Sequence, residues 1–99
     1  MALTRDFKET IKARADQDAE FRKALVTEAT ECLLNDDFET AKAIFRDYIN
    51  ATIGFEKLAD EVGTPPKSLM RMFGPRGNPQ AQSLFPVIAY IRKREHLAA

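Results

Sequence analysis

Apolar residues recur along this chain at intervals of three and four, and no stretch alternates apolar and polar residues for long enough to make a strand. The pattern predicts an all-α protein. A first helix is predicted over Asp6 to Ala15, with Phe7, Ile11 and Ala15 along one side. The next, Asp18 to Leu34, places Phe21, Ala24, Leu25, Ala29, Cys32 and Leu33 on one stripe, after which Asn35 and Asp36 mark a turn. A third helix starts near Asp37, where Asp36 and Glu39 approximate a capping box. Its inward positions are Phe38, Ala41, Ile44, Phe45, Tyr48 and Ile49, and it ends near Thr52 because Gly54 permits a left-handed cap.

Three further helices are predicted, over Phe55 to Val62, Pro66 to Phe73 and Pro79 to Arg94, the last two separated by the loop GPRGNP. Asn78 is a good cap for the final helix and Pro79 suits its first position. Pro86 removes one hydrogen bond and clashes with the preceding turn, which predicts a kink or break between Ser83 and Pro86. Leu84, Phe85, Val87, Ile88 and Ile91 are expected to pack onto the core.

The stretch FEKLADEVGTPPKSLMRMF, Phe55 to Phe73, meets the requirements of two short helices joined by a tight turn. Ala59 is small where the helices cross, Gly63 stands at the turn, and Leu58, Val62, Leu69 and Met72 fill the inward positions. An ordinary hairpin whose glycine is only a cap is the alternative. A residue before proline is driven out of the α region, so Pro65 should be extended at the cap position and Pro66 the first helical residue.

From that frame, Leu69, Met72 and Phe73 face inward, while Lys67 and Arg71 share the opposite face, flanked by Ser68 and Met70. Such a face fits a DNA major groove, where arginine and lysine meet guanine acceptors, serine a phosphate or base, and methionine a thymine methyl. It fits a plain solvated face as well. The loop adds Arg76, Gly77 and Asn78 as candidate phosphate contacts, through charge and through amides near a helix start, although a simple turn would need no ligand. The run Arg92, Lys93 and Arg94 suits either a phosphate contact or the negative end of a helix dipole.

Charge sharpens this picture. The chain of 99 residues is neutral, with 15 basic and 15 acidic side chains, yet Met1 to Glu61 carries nine Lys/Arg against fourteen Asp/Glu and Val62 to Ala99 six against one. A balance of −5 is followed by one of +5. Such asymmetry hints at nucleic-acid or membrane contact. The longest apolar run, FPVIAYI, is too short to cross a membrane and the start lacks a signal peptide, so a cytoplasmic location is expected. Cys32 stands alone, no Cys or His group has metal-ligand spacing, and His96 is the single histidine. Without a converging nucleophile, base and orienter, neither an enzyme, nor a metal, nor a cofactor is expected.

Phe55 to Phe73 resembles the helix-turn-helix of the lambda-repressor-like (Xre) family. The longer run from Ala41 to Val87, including RDYINATIGFEKLADEVG and the GNP of the loop, resembles the addiction-module antidote proteins related to HigA. The resemblance implies a DNA-binding domain that acts as a homodimer on a palindromic operator, often as an antitoxin that represses its own operon. Residues 37–99 would form that helix-turn-helix domain as one compact unit, with residues 1–36 an N-terminal extension of two helices. Lys67, Ser68, Met70 and Arg71 inherit the base-facing role. The chain departs from the family after the turn, with Thr64 and Pro65 where members carry an apolar residue and a capping serine. The alternative function is a protein-interaction module whose acidic half binds a partner such as a toxin, with DNA binding secondary or lost.

Overall fold

A computed structural model describes the backbone of residues 5–97 and the side chains of residues 10–97. Among these residues there are helices and no strand: α1 (Arg5–Gln17), α2 (Ala19–Leu34), α3 (Phe38–Ala51), α4 (Phe55–Val62), α5 (Pro66–Met72) and α6 (Ala81–Arg94). The protein is all-α, as its periodicity predicts.

Local chemistry sets most of these boundaries. Asp18 caps α2 by accepting from the Phe21 N–H at 3.1 Å, and Asp37 caps α3 by accepting from Thr40 at 3.3 Å. The cap therefore lies one residue beyond the expected Asp36, and Glu39 pairs with Lys42 instead of closing a capping box. Asp36 is taken by the turn, where its φ of 63° lets Asp36 and Asp37 donate to the Leu33 and Cys32 carbonyls at 3.2 and 2.8 Å. The end of α6 repeats the motif with His96 at φ 59°, as His96 and Leu97 donate to Lys93 and Arg92. His96, the single histidine, thus closes a cap. Gly54 also differs from expectation: its ψ of 156° lies outside the left-handed helical region, and it precedes α4 while its N–H bonds the Ile49 carbonyl at 2.8 Å.

Phe45, Tyr48 and Ile49 of α3 form the centre of one buried cluster, joined by Leu58 of α4, Leu69 of α5 and Ile91 of α6. Phe73 lies between Phe45 and Phe55, with ring centroids 6.1 and 6.3 Å apart and planes tilted. Two expectations for α2 are corrected. Val26 and Ala29 are the fully buried positions, while Ala24 is exposed. Ala29, Leu25 and Leu33 do join the core as expected, and the Phe21 ring is covered from α1 by the Arg14 guanidinium at 4.5 Å. Ala15 of α1 is buried and Ile11 half-buried; Phe7 lies outside the described side chains.

The last helix also begins later than its sequence implies. Gln80 is its cap residue, so Asn78 and Pro79 belong to the loop, and α6 runs through Pro86 without a break. Pro86 and Gln82, whose carbonyl loses its usual donor, are both exposed, so water can serve the freed oxygen. Phe85 does not join the core; it is 60% exposed.

Glu95 ties the helices together from the end of α6. It is buried, and its Oε1 accepts from Arg22 Nε at 3.1 Å while Oε2 accepts from the Tyr48 hydroxyl at 2.5 Å and Arg94 Nη1 at 3.1 Å. Arg22 also donates to the Ala15 carbonyl, so the network touches α1, α2, α3 and α6. A buried carboxylate is tolerable only when its oxygens are satisfied in this way.

Burial, and then the bond to Glu95, push the Tyr48 phenol up to about 12. Because tyrosine becomes charged when it loses its proton, the folded state resists that ionisation. The corresponding stability is complete below the unfolded value of about 10 and is lost as pH rises towards 12, by an amount on the order of 2 kcal/mol. Urea midpoints measured from pH 9 to 12 should fall steeply for the native sequence and more shallowly for Tyr48→Phe; parallel curves would dismiss Tyr48 as the group responsible.

Candidate nucleic-acid interface

The turn between α4 and α5 is built by backbone constraint. Gly63 is left-handed, with φ 75° and ψ 24°, and its N–H caps α4 on the Ala59 carbonyl at 2.9 Å. Pro65 is extended at φ −57° and ψ 143°, and Pro66 is the first residue of α5, in the predicted frame. Leu58, Ala59 and Leu69 are buried at the contact between the two helices, and Val62 and Met72 pack at its margin. Lys67, Met70 and Arg71 are exposed and Ser68 is half-buried, so α5 buries one face and presents the other.

The loop after α5 is held from beneath by α3. Lys42 is only 3% exposed, and its ammonium donates to the Gly74 and Gly77 carbonyls at 3.1 and 2.8 Å. It also pairs with Glu39 at 3.2 Å and lies 5.0 Å from the Phe38 ring centroid. One turn along, Arg46 donates to the Phe73 carbonyl at 3.1 Å. Both side chains neutralise carbonyls at and just beyond the C-terminal end of α5, where the helix leaves its acceptors unpaired. Gly77 is required by contact rather than by its dihedrals: a Cβ there would collide with the Arg71 carbonyl oxygen and come within 2.5 Å of that of Met72. The loop is thereby pressed against α5.

A groove of about 650 Å³ results between α5, this loop and the start of α6. It brings together five of the candidate DNA contacts, Ser68, Arg71, Arg76, Gly77 and Asn78, with Val62 and Met72 of the helix-turn-helix core. Lys67 and Met70 lie outside it, on the exposed face of α5. Thr64, Gln82 and Ser83 complete the polar lining, and no Asp or Glu lines it. The last two escaped notice because a helix beginning at Pro79 turns them away from its first turn; the polar run QAQS was the available signal.

Neither the Arg71 nor the Arg76 guanidinium has an ion-pair partner among the described residues. The Gly77 N–H is already donated to Gly74 at 3.0 Å, so this residue shapes the loop instead of offering an amide. The expectation that the Gly77 and Asn78 amides sit at a helix start is likewise corrected, since α6 begins beyond them at Ala81. There, Gln80 provides no side-chain cap, which leaves the first amides of α6 without a side-chain acceptor.

Elsewhere the chemistry is sparse. Burial, reinforced by Asp37, Glu28 and Glu31, pushes the Cys32 thiol up, so it stays protonated at neutral pH. Among the described residues no three His, Cys, Asp or Glu side chains are grouped to hold a metal, and no helix is long and apolar enough to cross a membrane. No family model, curated protein or solved structure matches the chain.

If Lys42 and Gly77 fix the loop, Lys42→Met should cost about 1–3 kcal/mol by leaving the Gly77 carbonyl without its donor, and Gly77→Ala about 1–3 kcal/mol by overpacking. Urea unfolding reads the loss, and exchange of the amide at position 77 should accelerate in both variants. Unchanged midpoints and exchange rates would show that the loop is held by something else.

Proposed function

We propose that the protein is a sequence-specific DNA-binding transcriptional regulator in which α4 and α5 form a helix-turn-helix and α5 enters the major groove. The observation that carries this reading is the groove beside α5: two guanidinium groups without ion-pair partners, several neutral hydrogen-bonding side chains and no carboxylate. A duplex offers what such a surface lacks, with phosphate oxygens for charge and base edges for directed hydrogen bonds.

The roles divide along the groove. Lys67, Met70 and Arg71 project from the open face of α5 and are the base-facing side chains, with Ser68 at the groove wall. Arg76, Asn78 and the uncapped start of α6 receive the backbone phosphates. Gly77 allows the loop to approach α5. The domain acts as a homodimer, and the resemblance to HigA-related antidote proteins makes an antitoxin-like repressor the finer form of the proposal. No catalytic step and no cofactor enters it.

A second reading is favoured by a different surface. Glu20, Glu28 and Glu31 stand exposed on α2, in the half that a polyanion would avoid. That face suits a basic partner protein, such as a toxin, bound away from the DNA groove.

Arg71→Ala should weaken binding to the selected operator by about 1–3 kcal/mol and relax preference at one base pair. Equal loss on operator and random duplex would remove its base-reading role. Arg76→Ala should weaken binding to all sequences and reduce the slope of log affinity against log salt by about one. A slope identical to that of the native sequence would exclude a phosphate contact there.

A further inference from the structure

Every polar side chain that lines the groove beside α5, from Thr64 to Ser83, is without a hydrogen bond or ion pair to another described residue. The other grooves differ. Around the buried Glu95, the side chains of Arg22, Thr52, Arg94 and Glu95 itself are all bonded within the chain. Between the end of α2 and α6 lies an apolar groove lined by Leu33, Leu34, Phe85 and Ile88, whose cation, Arg92, is held by Thr30 and the Leu97 carbonyl. Only beside α5 do free polar groups face one another across a groove.

The two walls of that groove supply different chemistry. The wall of α5 and its loop carries the charge, on Arg71 and Arg76. The α6 wall is neutral: Gln82, Ser83, Pro86 and Val87 recur at helical spacing and so lie along one strip, with Gln82 and Ser83 both exposed. Val62, Met72, Pro79 and Pro86 add apolar surface. A lining of cations, neutral donors and apolar patches matches a sugar–phosphate strand, which offers anionic oxygens to the first two and deoxyribose carbons to the third. The location agrees as well. That strand is the ridge bordering a major groove, so a helix set into the major groove brings the ridge against its own flank.

We propose that one sugar–phosphate strand of the duplex lies in this groove, and that the Gln82 amide and the Ser83 hydroxyl grip it from α6 by donating to phosphate oxygens. The assignment rests on the DNA reading above and gives a role to two side chains that the sequence pattern did not single out.

Neutral donors leave a signature that charges do not. Because they displace no counterion, Gln82→Ala and Ser83→Ala should each weaken binding about twofold to tenfold, the loss of one hydrogen bond, with the slope of log affinity against log salt unchanged. The loss should be equal on random duplex and on a duplex obtained by binding-site selection. Ser83→Thr, which keeps the hydroxyl, should bind like the native sequence. When single phosphates of the selected duplex are replaced by methylphosphonate, the penalty of Ser83→Ala should shrink at the phosphate that Ser83 contacts and persist at the others. Both residues are exposed, so urea midpoints should not fall in any of these variants, which separates a lost contact from a lost fold. Binding indifferent to both alanine variants, a loss confined to the selected duplex, or a salt slope altered as for Arg76→Ala would each overturn the assignment. The DNA reading fails separately: a native chain that binds no duplex refutes that reading, whereas duplex binding untouched by Gln82→Ala and Ser83→Ala refutes only this contact.

Discussion

A lysine ammonium buried to 3% exposure governs the shape of the candidate interface. Lys42 has no direct part in the groove, yet its bonds to Gly74 and Gly77 decide where Arg76 and Asn78 sit relative to Arg71. Charged hydrogen bonds contribute about 1.5–3 kcal/mol each, while removing an ammonium from water costs several kcal/mol. The two nearly offset, so the main consequence of burying Lys42 is positional. It satisfies the Gly77 carbonyl, adds a second donor to that of Gly74, and so ties both ends of the loop to α3. Gly77 completes the arrangement by letting the loop touch the end of α5 without a side chain in between.

Glu95 is the counterpart of Lys42 at the other side of the core, and the pair shows what could and could not be read from sequence. The frame of α4 and α5 was legible because Gly63, Pro65 and Pro66 act on dihedrals within a few residues of themselves. The inward faces of α3 and α5 were legible because periodicity identifies them. Lys42 and Glu95, by contrast, have the appearance of solvated charges. Lys42 is buried by carbonyls 32 and 35 residues away, and Glu95 by a tyrosine 47 and an arginine 73 residues away. Nothing local marks them. The burial of Val26 on α2 is a tertiary feature of the same kind, and the start of α6 follows a loop pinned from α3. Pro86 passes unbroken through α6 because the positions it disrupts are exposed, which its sequence does not reveal.

The same burial changes the meaning of the charge asymmetry. Several cations of the acidic half point inward or bridge to other segments: Arg22 to Glu95, Lys42 and Arg46 to carbonyls at and after the end of α5. The exposed surface of that half is therefore more acidic than its residue count. Arg94 of the basic half is likewise spent on Glu95 and Tyr48. Lys67, Arg71 and Arg76 remain turned outward. Because exposed charges are screened beyond about 8–10 Å at ordinary salt, a polyanion at α5 meets these three together with the exposed Glu56, Asp60 and Glu61 of the adjoining α4, and not the neutral total. A net charge of zero is still compatible with a groove that, lined by no carboxylate, attracts phosphate.

What remains is how the two exposed grooves are related, and α6 is the element on which that depends. One side of the helix contributes Gln82 and Ser83 to the polar groove, another contributes Phe85 and Ile88 to the apolar one, and the core holds it through Leu84, Val87 and Ile91. A single helix that runs through Pro86 without interruption makes the two surfaces parts of one rigid body. Both surfaces therefore depend on how Leu84, Val87 and Ile91 seat the helix on the core. A substitution that loosens one of these three would displace Gln82 and Phe85 together, even with every groove residue intact, because one helix carries both.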